Sequence, residues 1–289
     1  MIDSKLQLFA DGILFGEGMR WYDGRMWIAD MMGRVVLAFD SSGKREVIAK
    51  VPHRPNGLGF LPDGRLLMTS MADQKLLRRE SNGRIVEHAS LANLMTGYCG
   101  DMAVDSKGRA YLDDVGFRVF EGQPRTPGRL LLVQPDGSAT VLEDNLQFPN
   151  GIWITQNEQE LIFAEGRNQR LWRYRINDDG TLSDKRLFAE FSELLDGLTL
   201  DVEGAVWQCQ PYAHKIVRVL DGGRITQEFN FGDLKPVACC LGGKDLKTLF
   251  VVASDYTLER MAVDDTTAQI FSVEVETPGF LLPGDPAKR

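Results

Sequence analysis

Six times along the chain the same order of residues recurs: a polar or acidic residue, a strand-length hydrophobic run, a Gly-containing turn and a second hydrophobic run. The anchors are Glu17, Asn56, Asp101, Asn150, Asp196 and, in weaker form, Val237, and they stand 39 to 49 residues apart. That is the length a four-stranded propeller blade consumes. A repeat of this period constrains the fold strongly, because one blade cannot bury both of its faces and must stack against neighbours around a ring. The expected fold is all-β, a single six-bladed β-propeller domain over residues 1–289. Equivalent positions of every blade then face one central channel. Glu17, Asn150 and Asp196, far apart in sequence, meet there.

The repeats read clearly at the level of single strands. The first has Gly18 to Trp21, a turn at Asp23-Gly24, Arg25 to Ala29, a break at Asp30 to Gly33, Arg34 to Asp40, a turn at Ser41 to Gly43, and Arg45 to Val51. Each piece is strand-sized and bounded by turn residues. The second and fifth repeats follow the same order around Pro62-Asp63-Gly64 and Val202-Glu203-Gly204. The sixth supplies only three strands, while Leu6 to Asp11 is a spare strand ahead of the first anchor. An open ring would leave two strand edges exposed, so the N-terminal strand is expected to close the last blade.

Bulk properties exclude several classes of function. The net charge of −8, with no Lys/Arg cluster above the acidic background, argues against a nucleic-acid surface. No stretch approaches 18 apolar residues, and Met1 to Gly12 lacks a basic region followed by an apolar one, so a cytoplasmic protein without a membrane partner is expected. The expected partner is a small-molecule substrate, and the expected assembly a monomer or small homo-oligomer. Cys99, Cys209, Cys239 and Cys240 lack zinc-like spacing. They read as reduced core thiols, with the adjacent Cys239 and Cys240 on opposite faces of a strand.

The repeat also says which loops surround the anchors. If each anchor begins an innermost strand at one channel mouth, the chain returns to that mouth at the break after the second strand. Those breaks are Met31-Met32, Met71 to Asp73, Asp114 to Gly128, Arg167-Asn168, Tyr212 to His214 and Asp255-Tyr256. The third is the longest, and a long polar and aromatic loop beside a site reads as a lid, or as a plain surface excursion.

Two carboxylates and an amide carbonyl form a hard-oxygen set suited to Ca²⁺, Mg²⁺ or Mn²⁺, with coordination positions left for water and substrate. The same residue types also cap strand starts and turns throughout proteins.

At these residues the chain resembles a known family. Gly16-Glu17-Gly18 followed by Trp21, Phe148-Pro149-Asn150-Gly151, the run Asp196 to Trp207, and the third-repeat segment Gly100 to Tyr111 are similar to motifs of the SMP-30/gluconolactonase/LRE-like family. The resemblance runs from about Leu8 to Val275. It implies a six-bladed propeller with one central divalent metal held by Glu17, Asn150 and Asp196, with Ca²⁺ first and Mn²⁺, Mg²⁺, Zn²⁺ or Fe²⁺ as alternatives. It also implies hydrolysis of a lactone, a cyclic ester. The metal polarises the carbonyl, and Asp196 doubles as ligand and general base for water. Alternatives are the same site diverted to isomerisation, hydration or phosphotriester hydrolysis, or a noncatalytic propeller stapled by its ion.

One departure from the family pattern bears on substrate. Sugar-lactonase relatives carry Arg and Asn in an R-x-N-D stretch where this chain has Tyr98-Cys99-Gly100-Asp101. Losing a guanidinium and an amide removes hydrogen bonds that a polyhydroxylated sugar would use. A ligand less polar than a simple sugar lactone is therefore expected. Substrate contacts are expected from Met19, Tyr98, Gly100, Asp101, Phe117, Arg118, Phe148, Arg167, Tyr212 and His214.

Overall fold

The computed structural model describes residues 1–288. Alternating strand-length runs and glycine or aspartate turns fold each repeat into a four-stranded antiparallel meander, and six such sheets form. The innermost strands are Gly16–Tyr22, Pro55–Phe60, Cys99–Val104, Pro149–Ile154, Leu198–Leu200 and Lys235–Gly242, in blades one to six. Six apolar clusters fill the spaces between neighbouring blades, one to each interface. Cys239 lies in the cluster between blades five and six and Cys240 in the one between six and one, so adjacent thiols do face opposite ways. All four cysteines are buried and free.

The last blade is closed by the N-terminal strand, as the missing fourth strand of its repeat requires. Gln7–Ile13 pairs antiparallel with Ala268–Glu274, with Gln7 opposite Ser272, Leu8 opposite Phe271 and Ile13 opposite Ala268. Chain ends joined in one sheet remove the exposed edges that a ring of separate blades would keep.

Close approach of the innermost strands demands glycine at one level of the channel in four of the six blades. A Cβ on Gly57 would lie 2.7 Å from the Met102 nitrogen and 2.8 Å from the Gly100 oxygen. Gly18, Gly151 and Gly197 stand against the next blade's backbone in the same way. The obstructing atoms are main chain, so no rotamer change relieves them. Gly57→Ala is expected to cost about 1–3 kcal/mol, read as a lower denaturation midpoint at unchanged slope; a midpoint equal to wild type would refute this packing account.

The C-terminal segment, which the repeat pattern did not reveal, runs across the channel mouth opposite the anchors. Tyr22 donates its hydroxyl to the Gly284 carbonyl at 2.6 Å, the Asp23 N–H reaches Asp285 Oδ2 at 3.2 Å, and the Val202 N–H reaches the Pro278 carbonyl at 3.0 Å. Phe280 and Leu282 pack into the interface between blades four and five, and Leu282 also reaches the one between blades one and two. Residues 280–283 line, with Arg20 and Trp153, what remains of the channel at that end, a void of about 30 Å³. No helix among the described residues is long and apolar enough to cross a membrane.

Candidate active site

At the open mouth a cavity of about 190 Å³ is lined by Glu17, Asn150 and Asp196, the residues whose meeting the repeat predicts. Each of the six expected mouth loops contributes to the wall, through Met31, Met71, Val115, Phe117, Val119 and Phe120, Arg167, Tyr212 and Tyr256. The long blade-three loop forms a 3-10 turn at Val119–Glu121. From the other side a short helix, Leu258–Ala262, capped by Thr257, brings Leu258 and Met261 to the same cavity. Met261, Tyr98, Val119 and Phe120 join one apolar cluster, so loop and helix meet over the mouth.

The floor is acidic and buried. Glu17, Asp101, Asp113 and Asp196 are all buried and all line the cavity. One buried cation, Arg20, answers them from below: its Nη2 donates to Asp101 Oδ1 at 2.9 Å, its Nη1 to the Met19 carbonyl at 2.8 Å, and its guanidinium lies 4.6 Å from the Trp153 ring centre. That pairing satisfies Asp101 and leaves three carboxylates without a cationic partner. Burial drives the Glu17 carboxyl well above the ordinary range, and Asp196, Asp101 and Asp113 raise it further. Burial likewise pushes Asp196 up to about 7, with Asp101 adding to the rise and Asn150 beside it opposing. Asp113 is raised by burial and then by Asp101.

Whether this floor suits a divalent cation turns on atoms without partners. Asp196 Oδ1 and Asp113 Oδ1 are buried and accept no hydrogen bond. Buried carboxylates that end the second strands of other blades are satisfied: Asp30 accepts from the N–H groups of Leu14, Phe15 and Gly33, and Glu165 from Gln147 and Trp172. An unpartnered buried charge is costly, and a hard cation relieves it in the way these oxygens allow. Among the described residues no three His, Cys, Asp or Glu side chains converge into an evident metal cluster. The set that fits is mixed, with carboxylates of Glu17 and Asp196 and the amide of Asn150.

The walls are aromatic and apolar. Phe117 and Phe148 face each other with ring centres 6.1 Å apart, and Arg167 lies over the Phe148 ring at 5.4 Å. Phe148 holds a left-handed backbone, φ 57°, strained for a bulky residue and pinned by the Gly166 N–H on its carbonyl at 2.9 Å. Arg125 and Arg167 share the rim; burial, and then Arg125, lower the Arg167 pKa.

Of the expected substrate contacts, Tyr98, Gly100, Asp101, Phe117, Phe148, Arg167 and Tyr212 line the cavity, while three lie elsewhere. Met19 is fully buried with Trp21, Met26 and Ile28, because an irregularity between Glu17 and Arg20 turns it into the blade interface. His214 takes the left-handed cap of a 3-10 turn, φ 54°, and its Nδ1 lies 3.0 Å from the Leu234 carbonyl oxygen, away from the cavity. Arg118 pairs with Glu121 at 3.1 Å and covers Tyr98 from outside. The blade-three anchor also shifts by one: Gly100, second in its strand like Glu17, Asn56 and Asn150, is the true equivalent, and Asp101 stands at the level of Gly57. Residues missed from sequence are Arg20, Asp113 and Arg125. Asp113 sits at the edge of the expected mouth loop, and a buried-strand acid was its one sequence signal.

A six-bladed propeller with an acidic, cation-suited floor under an apolar mouth defines a class, and the comparisons place the chain within it. Residues 15–255 match the SMP-30/Gluconolactonase/LRE-like region, and the chain belongs to that family. The pentonolactonase XacC of Haloferax volcanii is 27% identical over 254 residues, covering 83% of this chain and 81% of that protein. The 6-deoxy-6-sulfogluconolactonase of Pseudomonas putida is 25% identical over 189 residues, 63% of this chain and 64% of that enzyme. Among solved structures, a calcium-binding regucalcin from Agrobacterium tumefaciens superposes with a TM-score of 0.80 at 20% identity, covering 96% of this chain and 98% of that chain. That last likeness is one of fold.

Proposed function

We propose that the protein is a divalent-cation-dependent lactonase acting on a lactone less polar than a simple sugar lactone. The observation that carries this reading is the floor itself: three buried carboxylates without a cationic partner, two of them with an orphaned oxygen, beneath a cavity open on one side. The names of the relatives XacC and 6-deoxy-6-sulfogluconolactonase support lactone opening as the reaction class.

Glu17, Asn150 and Asp196 would hold the cation, with Ca²⁺ the first choice for an all-oxygen set. Bound there, it would polarise the lactone carbonyl and stabilise charge developing on its oxygen. Asp196 takes the proton of the attacking water as the new C–O bond forms, and that proton passes to the ring oxygen as the ring C–O bond breaks. The product is a hydroxy acid. Phe117, Phe148, Tyr98 and Tyr212 hold an apolar ring body and exclude water. The missing side chain at Gly100 removes a hydrogen-bond partner that a sugar hydroxyl would need. Arg125 and Arg167 on the rim suit the carboxylate that the reaction creates.

The test is acid release from a panel of sugar, alkyl and aromatic lactones, using chelator-stripped protein with Ca²⁺, Mn²⁺, Mg²⁺ or Zn²⁺ restored. Cation-dependent turnover favouring alkyl or aromatic rings by about tenfold or more in kcat/KM is expected. Equal turnover of gluconolactone would refute the substrate class, and absence of turnover with every cation would refute the reaction.

A further inference from the structure

The blade repeat isolates one exception. At the anchor of the innermost strand the other blades carry Glu17, Asn56, Asn150, Asp196 and Val237, whereas blade three carries Gly100. On the second strand, the residue opposite the anchor region is Ala29, Thr69, Ala164, Cys209 or Ala253 in the other blades, and Asp113 in blade three. One strand has lost its channel side chain, and its neighbour has gained a carboxylate.

The two changes share one volume. A Cβ on Gly100 would lie 2.0 Å from Asp113 Oδ1 and 2.7 Å from its Cγ. Asp113 Oδ2 accepts the Asp101 N–H at 2.9 Å, which fixes the carboxylate. Its Oδ1 has no partner in a residue that is 1% exposed and lines the cavity. The next residue, Asp114, is equally buried yet accepts from the N–H groups of Thr96, Gly97 and Gly116, so strand position alone does not orphan an acid here. Arg20 cannot answer Asp113 from where it lies, since its guanidinium is spent on Asp101 and on the Met19 and Met102 carbonyls.

We propose that Asp113 is a further oxygen donor to the cation held by Glu17, Asn150 and Asp196, delivered across the strand pair through the space that Gly100 leaves open. This rests on the cation reading above. It makes the site richer in negative charge than its three anchor residues alone, and it gives Gly100 a role as the residue that admits the carboxylate.

The experiment is calorimetric titration of Ca²⁺ and of Mn²⁺ into chelator-stripped full-length wild type, Asp113→Asn, Gly100→Ala and the double variant, with thermal melts in the absence of cation. Wild type is expected to bind one ion, and Asp113→Asn to bind it about tenfold or more weakly. Gly100→Ala removes no oxygen but displaces Asp113, and is expected to weaken binding comparably. The double variant should lose no more than Asp113→Asn, since both changes act on one contact. Cation-free Asp113→Asn should melt at or above wild type, because a like charge is gone. Unchanged affinity in Asp113→Asn, with or without a lower cation-free melting temperature, overturns the proposal and leaves the cation reading standing. Absence of ion binding by wild type overturns both.

Discussion

Asp196→Asn is expected to lower lactone hydrolysis by about a thousandfold or more in kcat/KM, and to weaken cation binding in the same protein. The substitution keeps the shape of the side chain and its place beside Asn150, but removes the group proposed to take the proton and one of the charges that would face the proposed ion. Asp196 Oδ1 is buried with no hydrogen-bond partner, so this oxygen is not already committed to another group. Folding should survive, because the charge removed stands among other unpaired carboxylates and its loss relieves repulsion. Acid release with circular dichroism as a folding control makes the check; activity within tenfold of wild type would refute Asp196 as the base.

The second large effect is on stability. Cation-free protein is expected to lose stability as pH rises from about 4 to 8, and added Ca²⁺ to reverse the loss. The sign follows from proton counts. Glu17, Asp113 and Asp196 have native pKa values raised by burial, Asp196 from 3.8 to about 7. Between those limits the folded chain holds more protons than the unfolded one, so stability is full below the unfolded pKa and falls as pH climbs through the folded one. The Asp196 carboxyl alone is worth on the order of several kcal/mol across that window, or roughly 10 °C in melting temperature for a chain of this size. A bound cation holds the carboxylates ionised, so it removes the pH slope and releases protons as it binds. Melting curves at fixed ionic strength, with and without Ca²⁺, and proton release into two buffers of different ionisation enthalpy test this. A cation-free melting temperature that rises with pH over that window would contradict it.

Much of this architecture is legible in the amino-acid sequence because a propeller writes its geometry as a period. Turn glycines and anchor spacing locate the blades, the spare strand at Leu6 to Asp11 predicts the closure, and the six breaks between second and third strands predict which loops ring the cavity. What spacing cannot carry is a shift of one residue. Irregular pairing where the innermost strands begin sends Met19 into the blade interface and places Gly100, rather than Asp101, at the anchor. Pairings made through space escape as well. Arg20 and Asp101 are 81 residues apart, and Asp113 enters the cavity only because a side chain is missing on another strand. His214 was legible as a mouth residue but not as one whose left-handed turn commits its ring to Leu234.

The segment that ends the chain gives the channel the character of a well. With Phe280 to Pro283 filling the far opening, whatever descends to Glu17 and Asp196 has to climb back past Phe117, Phe148 and Tyr212. With the cation held as proposed, traffic would be sequential: the ion would have to settle before the ligand covers it, and a chelator would reach the ion only in the intervals when the well stands empty.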